Sequence, residues 1–171
     1  MKIIGLVGSK LHCQQVSKVL KVGYGYRCFA INSHITRMLV SIYGPKFVSG
    51  DEPNVNTDDM SGDELIQSLR EWGYSLRSDY WIRRVEHHIE TVKKFKYIHD
   101  LKGTISDIYT IEEMQWVKKQ GGELWMIGQH CVAEQSFMHL VDNHIDSELI
   151  EQQDRLDVEI KQLLAVDSTT S

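Results

Sequence analysis

The sequence has few cysteines and few prolines, and this scarcity narrows the class of protein. Its 171 residues include three cysteines and two prolines. The cysteines, at positions 13, 28 and 131, form no CxxC pair, and an odd number of widely spaced thiols does not build a disulfide framework. We therefore expect reduced thiols in a protein that is held together by its apolar core, for which this length is sufficient.

Long hydrophobic runs are missing as well. No apolar stretch approaches the ~18 residues that a transmembrane helix needs, and the chain opens directly on the apolar segment 3–7. This opening has neither the charged leader nor the small-residue cleavage site of a secretory signal. From the sequence we expect a cytoplasmic protein that does not bind membranes.

An excess of basic residues is also absent. The chain carries 19 lysines and arginines against 24 aspartates and glutamates, which gives a formal net charge of −5. Such a balance argues against broad binding to the backbone of nucleic acids, because that binding depends on positive charge. The expected partners are small molecules or other proteins.

Apolar strands and amphipathic helices alternate along the chain. Buried strands are predicted at 2–7, 26–31, 103–108 and 123–127, and helical patterns begin near Gln15, Ile35, Ser61, Asp79 and Thr110. This alternation is typical of a parallel sheet that is covered by helices on both faces. We predict one three-layer α/β domain over residues 1–166 with a mainly parallel sheet. We also expect a flexible loop or lid at 45–60 and a frayed tail at 167–171.

The first strand leads into the frame of a phosphate-binding loop. Such a P-loop has the pattern G-x-x-x-x-G-K-[ST]. Spacing from Gly8 places Cys13 at the second glycine, Gln14 at the lysine and Gln15 at the magnesium-binding hydroxyl. A Cβ at Cys13 would crowd the phosphate, and the two glutamines supply neither the cation nor the short hydroxyl. The motif predicts strand, loop and helix in P-loop order, without the residues that carry the chemistry.

Five short blocks, in order over nearly the whole chain, carry a family resemblance. They are residues 2–9, Phe29-Ala30 with 37–39, residues 79–84, residues 105–108 with Glu113 and Trp116, and residues 119–122. Together these blocks resemble the deoxynucleoside monophosphate kinases of tailed bacteriophages, a branch of the P-loop nucleoside monophosphate kinases. The resemblance implies a P-loop kinase fold and, for an intact member, transfer of the γ-phosphoryl group of ATP to a deoxynucleoside monophosphate (dNMP).

Departures from this family fall on its functional positions. The acidic residue before the family's second helix corresponds to Ser33, the arginine after the aspartate of its I-S-D-V-R segment to Tyr109, and a C-terminal histidine to Cys131. Phosphoryl transfer depends on positioned cations, so the resemblance with these losses implies a catalytically impaired relative. The retained candidates for nucleotide binding are Gly8, Ser9, Lys10, Arg83, Arg84, Asp107 and Glu134.

Two main functional hypotheses follow. In the first, the protein is a pseudoenzyme that binds or regulates a protein partner, such as a host or defence protein, and needs no cofactor. In the second, it is an active dNMP kinase that uses ATP and Mg²⁺, with Lys10, Arg83 or Arg84 supplying charge. Asp107 would then aid magnesium binding. A third hypothesis keeps nucleotide binding without turnover.

Histidines and cysteines offer a lesser alternative. Loops that follow parallel strands gather at one sheet edge, and zinc would suit the soft ligands found there. These ligands would be His12, Cys13, His34, His130 and Cys131. Because the His-Cys pairs lack familiar ligand spacing, we expect no metal.

Arginines and aromatic residues also allow more than one interpretation. Arg83 and Arg84 could bind a monophosphate, or could form helix ion pairs with Glu86 and Glu90. Any tyrosine or tryptophan left exposed would suit a protein interface. The residues concerned are Tyr24, Tyr26, Trp72, Tyr74 and Tyr80.

Overall fold

The computed structural model describes residues 1–46, 60–96, 98, 100–128 and 132–166. The predicted lid at 45–60 lies outside these residues except for its first two positions and its last, and the predicted tail at 167–171 lies wholly outside them. In the described part of the chain, no helix is both long enough and apolar enough to cross a membrane.

Five parallel strands form one sheet in the order β2-β3-β1-β4-β5. The strands are β1 (Lys2–Gly8), β2 (Arg27–Phe29), β3 (Lys102–Ile108), β4 (Glu123–Ile127) and β5 (Asn143–Ile145). The central strand β1 is apolar along its length and buried from residue 3 to residue 7, as a parallel strand covered on both faces requires. The α/β class and the parallel sheet predicted from the sequence are confirmed, whereas β5 was not predicted.

The described residues form seven α-helices and one 3₁₀ helix. The α-helices are α1 (Lys10–Tyr24), α2 (Ser33–Tyr43), α3 (Gly62–Leu76), α4 (Tyr80–Lys96), α5 (Ile111–Lys119), α6 (Ser147–Ile150) and α7 (Gln153–Val166), and the 3₁₀ helix is Val132–Leu140. Ser61 and Thr110 begin α3 and α5 with complete capping boxes, which confirms both predicted helix starts.

The chain forms two compact units. The first contains Met1–Phe29 and the described residues from Val92 onward, and it carries the whole sheet with α1, α5, α6 and α7. The second is Ala30–Thr91, which carries α2, α3 and most of α4. A single domain over residues 1–166 stays a prediction.

Helix α1 packs on the sheet of the first unit through a fully buried stripe. Val16 and Leu20 are completely buried, and their neighbour Ser17 is 3% exposed. The Ser17 hydroxyl lies 2.8 Å from Oγ1 of Thr104 in β3 and donates to Sγ of Cys28 in β2 at 3.0 Å. These contacts satisfy the polar atoms under the helix, so that α1 can lie directly on β2 and β3 without a buried orphan group.

Trp81 anchors the core of the second unit. Its indole is buried, and Nε1 donates to the carbonyl oxygen of Arg70 at 3.0 Å. A Cβ on Gly73 would collide with the same indole. Glycine often marks the end of a helix, but α3 continues past Gly73 to Leu76. This glycine instead leaves room for the Trp81 ring.

A substitution at Gly8 tests the close approach between the backbones of β1 and β4 at the end of β1. It has a φ of +151°, and a Cβ there would meet the carbonyl oxygen of Ile127 in β4. We expect Gly8→Ala to lower the free energy of unfolding by about 3 kcal/mol through strain and overpacking. The matched control is Gly25→Ala, where φ is +72° and no described atom lies within 4 Å of the added carbon. That change should cost only about 1 kcal/mol. Equal losses in urea unfolding, followed by circular dichroism, would contradict the role of Ile127.

Candidate functional site

The junction between β1 and α1 differs from the predicted phosphate loop. Helix α1 begins at Lys10, so residues 10–14 are helical and a single residue, Ser9, joins strand to helix. Ser9 is the N-cap, and its Oγ accepts a hydrogen bond from the backbone N–H of His12 at 3.3 Å. The predicted helix start at Gln15 was wrong. Serine is a strong N-cap, and residues 10–14 include no glycine to favour a loop.

Cys13 faces the core of the first unit. It is 1% exposed and packs in a cluster with Val16 and Leu20. Burial, and next the charge of Asp107, raise the pKa of the Cys13 thiol to about 12. At neutral pH the group is therefore a protonated thiol, unsuited to nucleophilic attack or metal binding. Gln14 and Gln15 lie beside it on the exposed part of α1.

The carboxyl ends of β1 and β4 form the switch point of the sheet. The chain leaves β1 toward β2 on one side and leaves β4 toward β5 on the other, and ligands of open α/β sheets bind at such points. Gly128 follows β4 with a φ of +87°, and Nδ1 of His12 lies 3.3 Å from where its Cβ would be. His144 Nε2 donates to the Gly128 carbonyl at 2.9 Å, and His144 Nδ1 lies 3.4 Å from Oδ1 of Asp146. Of the polar groups at this edge, His12 was indicated by the sequence, whereas His144 and Asp146 were not.

The end of β3 is held in shape by a buried carboxylate. Glu113 is completely buried, and its Oε2 accepts hydrogen bonds from the backbone N–H of Tyr109 at 2.7 Å and of Thr110 at 3.1 Å. Asp107 is 8% exposed, and it lies close enough to Cys13 for its charge to raise the pKa of that thiol. Tyr109, where the family resemblance implies an arginine, has an exposed side chain. Glu113 therefore fixes the turn that follows Asp107.

The start of α2 brings polar side chains together in the second unit. Ser33 opens this helix, and Arg37 donates from Nε to the Ser33 carbonyl at 3.2 Å and from Nη2 to Nδ1 of His34 at 3.3 Å. A guanidinium only donates, so Nδ1 of His34 accepts and the hydrogen of the neutral ring sits on Nε2. Oγ of Ser33 is buried without a hydrogen-bond partner among the described residues. Nε2 of His34 is buried too, and the backbone carbonyl of Arg84 lies near the ring.

Further cationic and imidazole groups surround this pair. The rings of His34 and His88 lie edge to face with centroids 5.8 Å apart. Arg70 is 2% exposed, and its Nη1 donates to Oδ1 of Asn32, the residue before Ser33, at 2.6 Å. We call the set of Ser33, His34, Arg37, Arg70 and His88 the α2 cluster. Such a set of donors suits an anion.

Burial and neighbouring charge keep both histidines of the α2 cluster neutral. The pKa of His34 is lowered first by burial and then by Arg37, His88 and Arg84, with the Arg84 backbone carbonyl acting in the opposite direction. The pKa of His88 is lowered by burial and then by Arg37 and His87. The positive charge of the α2 cluster at neutral pH therefore comes from its arginines.

The two arginines proposed from the sequence have separate roles on α4. Nε of Arg83 lies 2.7 Å from Oδ2 of Asp79, and Nε of Arg77 lies 3.0 Å from Oδ1 of the same residue. The ion pair of Arg83 is thus with Asp79, one turn before it, and not with the predicted Glu86 or Glu90. Glu86 adds only a smaller attraction. The guanidinium of Arg84 lies 5.6 Å from the ring centroid of Tyr80.

The remaining candidates concern a metal centre. His12 and Cys13 belong to the first unit and His34 to the second, and each unit is described by itself. His130, Cys131 and the side chain of Glu134 lie outside the described residues. Within the part of the chain that the structure describes, no three histidine, cysteine or acidic side chains are grouped as a metal ion requires.

Comparisons with known proteins do not identify a family. No protein-family model matches this chain, and no curated protein sequence matches it significantly. The likeness to phage nucleotide kinases therefore stays a prediction from the sequence blocks.

The α2 cluster predicts a loss of stability in mild acid. Because folding lowers the pKa of His34 and of His88 below the ordinary 6.5, the unfolded chain takes up protons first as the pH falls through that value. The free energy of unfolding should therefore decrease from about pH 7.5 to about pH 5.5. His34→Asn should lessen this decrease, as measured by urea unfolding at both pH values. An identical decrease in variant and wild type would mean that His34 does not contribute.

Proposed function

We propose that this protein has kept the parallel sheet of a P-loop nucleotide kinase but does not transfer phosphate. In this proposal it is a phage-type relative that acts in the host cytoplasm by binding a protein, such as a host or defence protein. The observation that carries the proposal is the start of α1 at Lys10.

The length of the β1–α1 connection is the first support. A P-loop wraps the phosphates of ATP with backbone N–H groups from several residues between strand and helix. Here Ser9 alone separates Gly8 from Lys10. Its Oγ already accepts from the N–H of His12, which belongs to the first helical turn. This geometry leaves too little chain to surround a triphosphate.

The charges along the same segment are the second support. Gln14 and Gln15 are neutral and exposed, and Cys13 is directed into the core. Lys10 is the cation that remains at the start of α1, and it lies exposed on the first turn. Loss of a single positioned cation lowers phosphoryl transfer on the order of 10³-fold or more. The sheet can persist without this chemistry, because its stability comes from buried apolar residues.

A phosphoryl-transfer assay tests this proposal. The purified chain is incubated with labelled ATP, Mg²⁺ and each common dNMP, and we expect no labelled diphosphate above a blank without protein. Asp107→Asn is the matched control, because product from a contaminating kinase would be unchanged in that variant. Product that forms with wild type and disappears with a folded Asp107→Asn variant would establish the alternative, an active dNMP kinase.

A second candidate function is nucleotide binding without turnover. The α2 cluster favours it, because the buried hydroxyl of Ser33 has no hydrogen-bond partner among the described residues and the guanidinium of Arg37 lies beside it. A phosphate group would supply an oxygen acceptor for this hydroxyl and negative charge for the guanidinium. The ligand in this case is the phosphate of a dNMP.

Thermal unfolding with added ligand tests the second candidate. A dNMP that binds the folded state should raise the melting temperature in a concentration-dependent way. Arg37→Gln should lose most of that rise, and Lys119→Gln, at an exposed position at the end of α5, should keep it. Inorganic phosphate serves as the probe for the anion alone. If no dNMP raises the melting temperature of wild type, nucleotide binding at the α2 cluster is refuted.

A further inference from the structure

The second unit exposes aromatic and aliphatic side chains next to arginines. Trp72 and Leu76 lie one turn apart on α3 and are 48% and 54% exposed. The Trp72 ring stands edge to face against Tyr80 at 6.0 Å between centroids. We call this area the basic aromatic surface, and its members are Trp72, Leu76, Arg77, Tyr80, Arg83 and Arg84.

Positive charge dominates the basic aromatic surface. Arg77 and Arg83 share the single carboxylate of Asp79, and Arg84 lies over Tyr80. Glu86 also attracts Arg83, so three guanidinium groups are accompanied by two carboxylates. Tryptophan, tyrosine and arginine are the residues that contribute most at protein interfaces, so this surface suits an apolar partner with negative charge.

The first unit carries a groove of the opposite sign. The groove lies between α1 and the residues of α6 and α7, with a volume of about 640 Å³. Its charged lining is Lys18 against Glu151, Asp154 and Asp157. Val22, 79% exposed, gives its rim an apolar side. We call this feature the acidic groove.

We propose that the acidic groove of one copy of this chain receives the basic aromatic surface of a second copy. The excess of carboxylates in the groove faces the excess of guanidinium groups on the surface, and Trp72 and Leu76 bring apolar area to the side of Val22. Opposed charges of this kind set the register and raise the association rate. The two surfaces differ, so a closed dimer contains this contact twice: each copy receives the surface of the other in its groove.

A nucleic acid fits the same observations less well. The formal net charge of −5 repels a phosphate backbone, and the exposed Leu76 gains nothing from a charged strand. The acidic groove has the complementary charge and belongs to the same chain. The inference does not rest on the proposed function, since a kinase and a pseudoenzyme could both self-associate.

Sedimentation velocity of the full chain tests the inference. Samples from about 1 µM to about 200 µM cover micromolar dissociation constants, at about 50 mM and about 500 mM salt. We expect wild type to sediment faster as its concentration rises, and less so at high salt. Arg77→Glu/Arg84→Glu and Glu151→Lys/Asp154→Lys should each weaken association at least tenfold. Lys119→Glu is the matched charge reversal outside both surfaces and should behave as wild type.

Mixing the two double variants makes the test specific. Each variant alone now presents two surfaces of the same sign, whereas the mixture again offers opposite signs, so the mixture should associate. Thermal melts establish that each variant is folded. A wild type that stays monomeric at low salt would overturn the inference. So would double variants that associate like wild type, or a monomer that binds poly-glutamate or single-stranded oligo-dT at its basic aromatic surface.

Discussion

The close approach of two backbones at the end of β1 is the constraint on which the first unit depends. Gly8 has a positive φ and lies so close to the carbonyl oxygen of Ile127 that a Cβ would not fit. This contact holds β1 against β4 at the switch point and directs the chain into Ser9, which caps α1 at once. The position of α1, its buried stripe and the exclusion of a longer loop all follow from that turn.

Elements with strong local signals could be predicted from the sequence. Strand β4 has the predicted bounds, and the capping boxes at Ser61 and Thr110 begin helices as predicted. Local signals failed where tertiary packing decided the outcome. Gly73 has the composition of a helix end, yet α3 continues past it because Trp81 needs the space. Strand β5 spans three residues, which is too short for a period of two to be seen.

The candidate sites were harder to predict from the sequence, because their residues are brought together by tertiary structure. In the α2 cluster, Arg70 bonds Asn32 from 38 positions away, and its burial has no signal in a pattern that treats arginine as a surface residue. At the switch point, His144 and Asp146 alternate around the buried Ile145. Two polar residues around one apolar residue are common in any chain. Only the folding of the sheet brings His144 and His12 each to Gly128.

At position 13, a phosphate loop and the apolar core require different residues and different backbone conformations. A phosphate loop needs glycine at this position and an extended chain before it, so that the backbone can approach the ligand. The core needs a side chain here, and the helix that delivers it must start early enough to turn residue 13 inward. Because α1 starts at Lys10, the thiol fills the core and its burial keeps it protonated. Replacing Cys13 by glycine alone would open a cavity without creating a phosphate loop, since Ser9 would still cap the helix. Core packing by Cys13 and a phosphate loop between β1 and α1 are therefore alternatives in this sequence, and the start of α1 at Lys10 favours core packing.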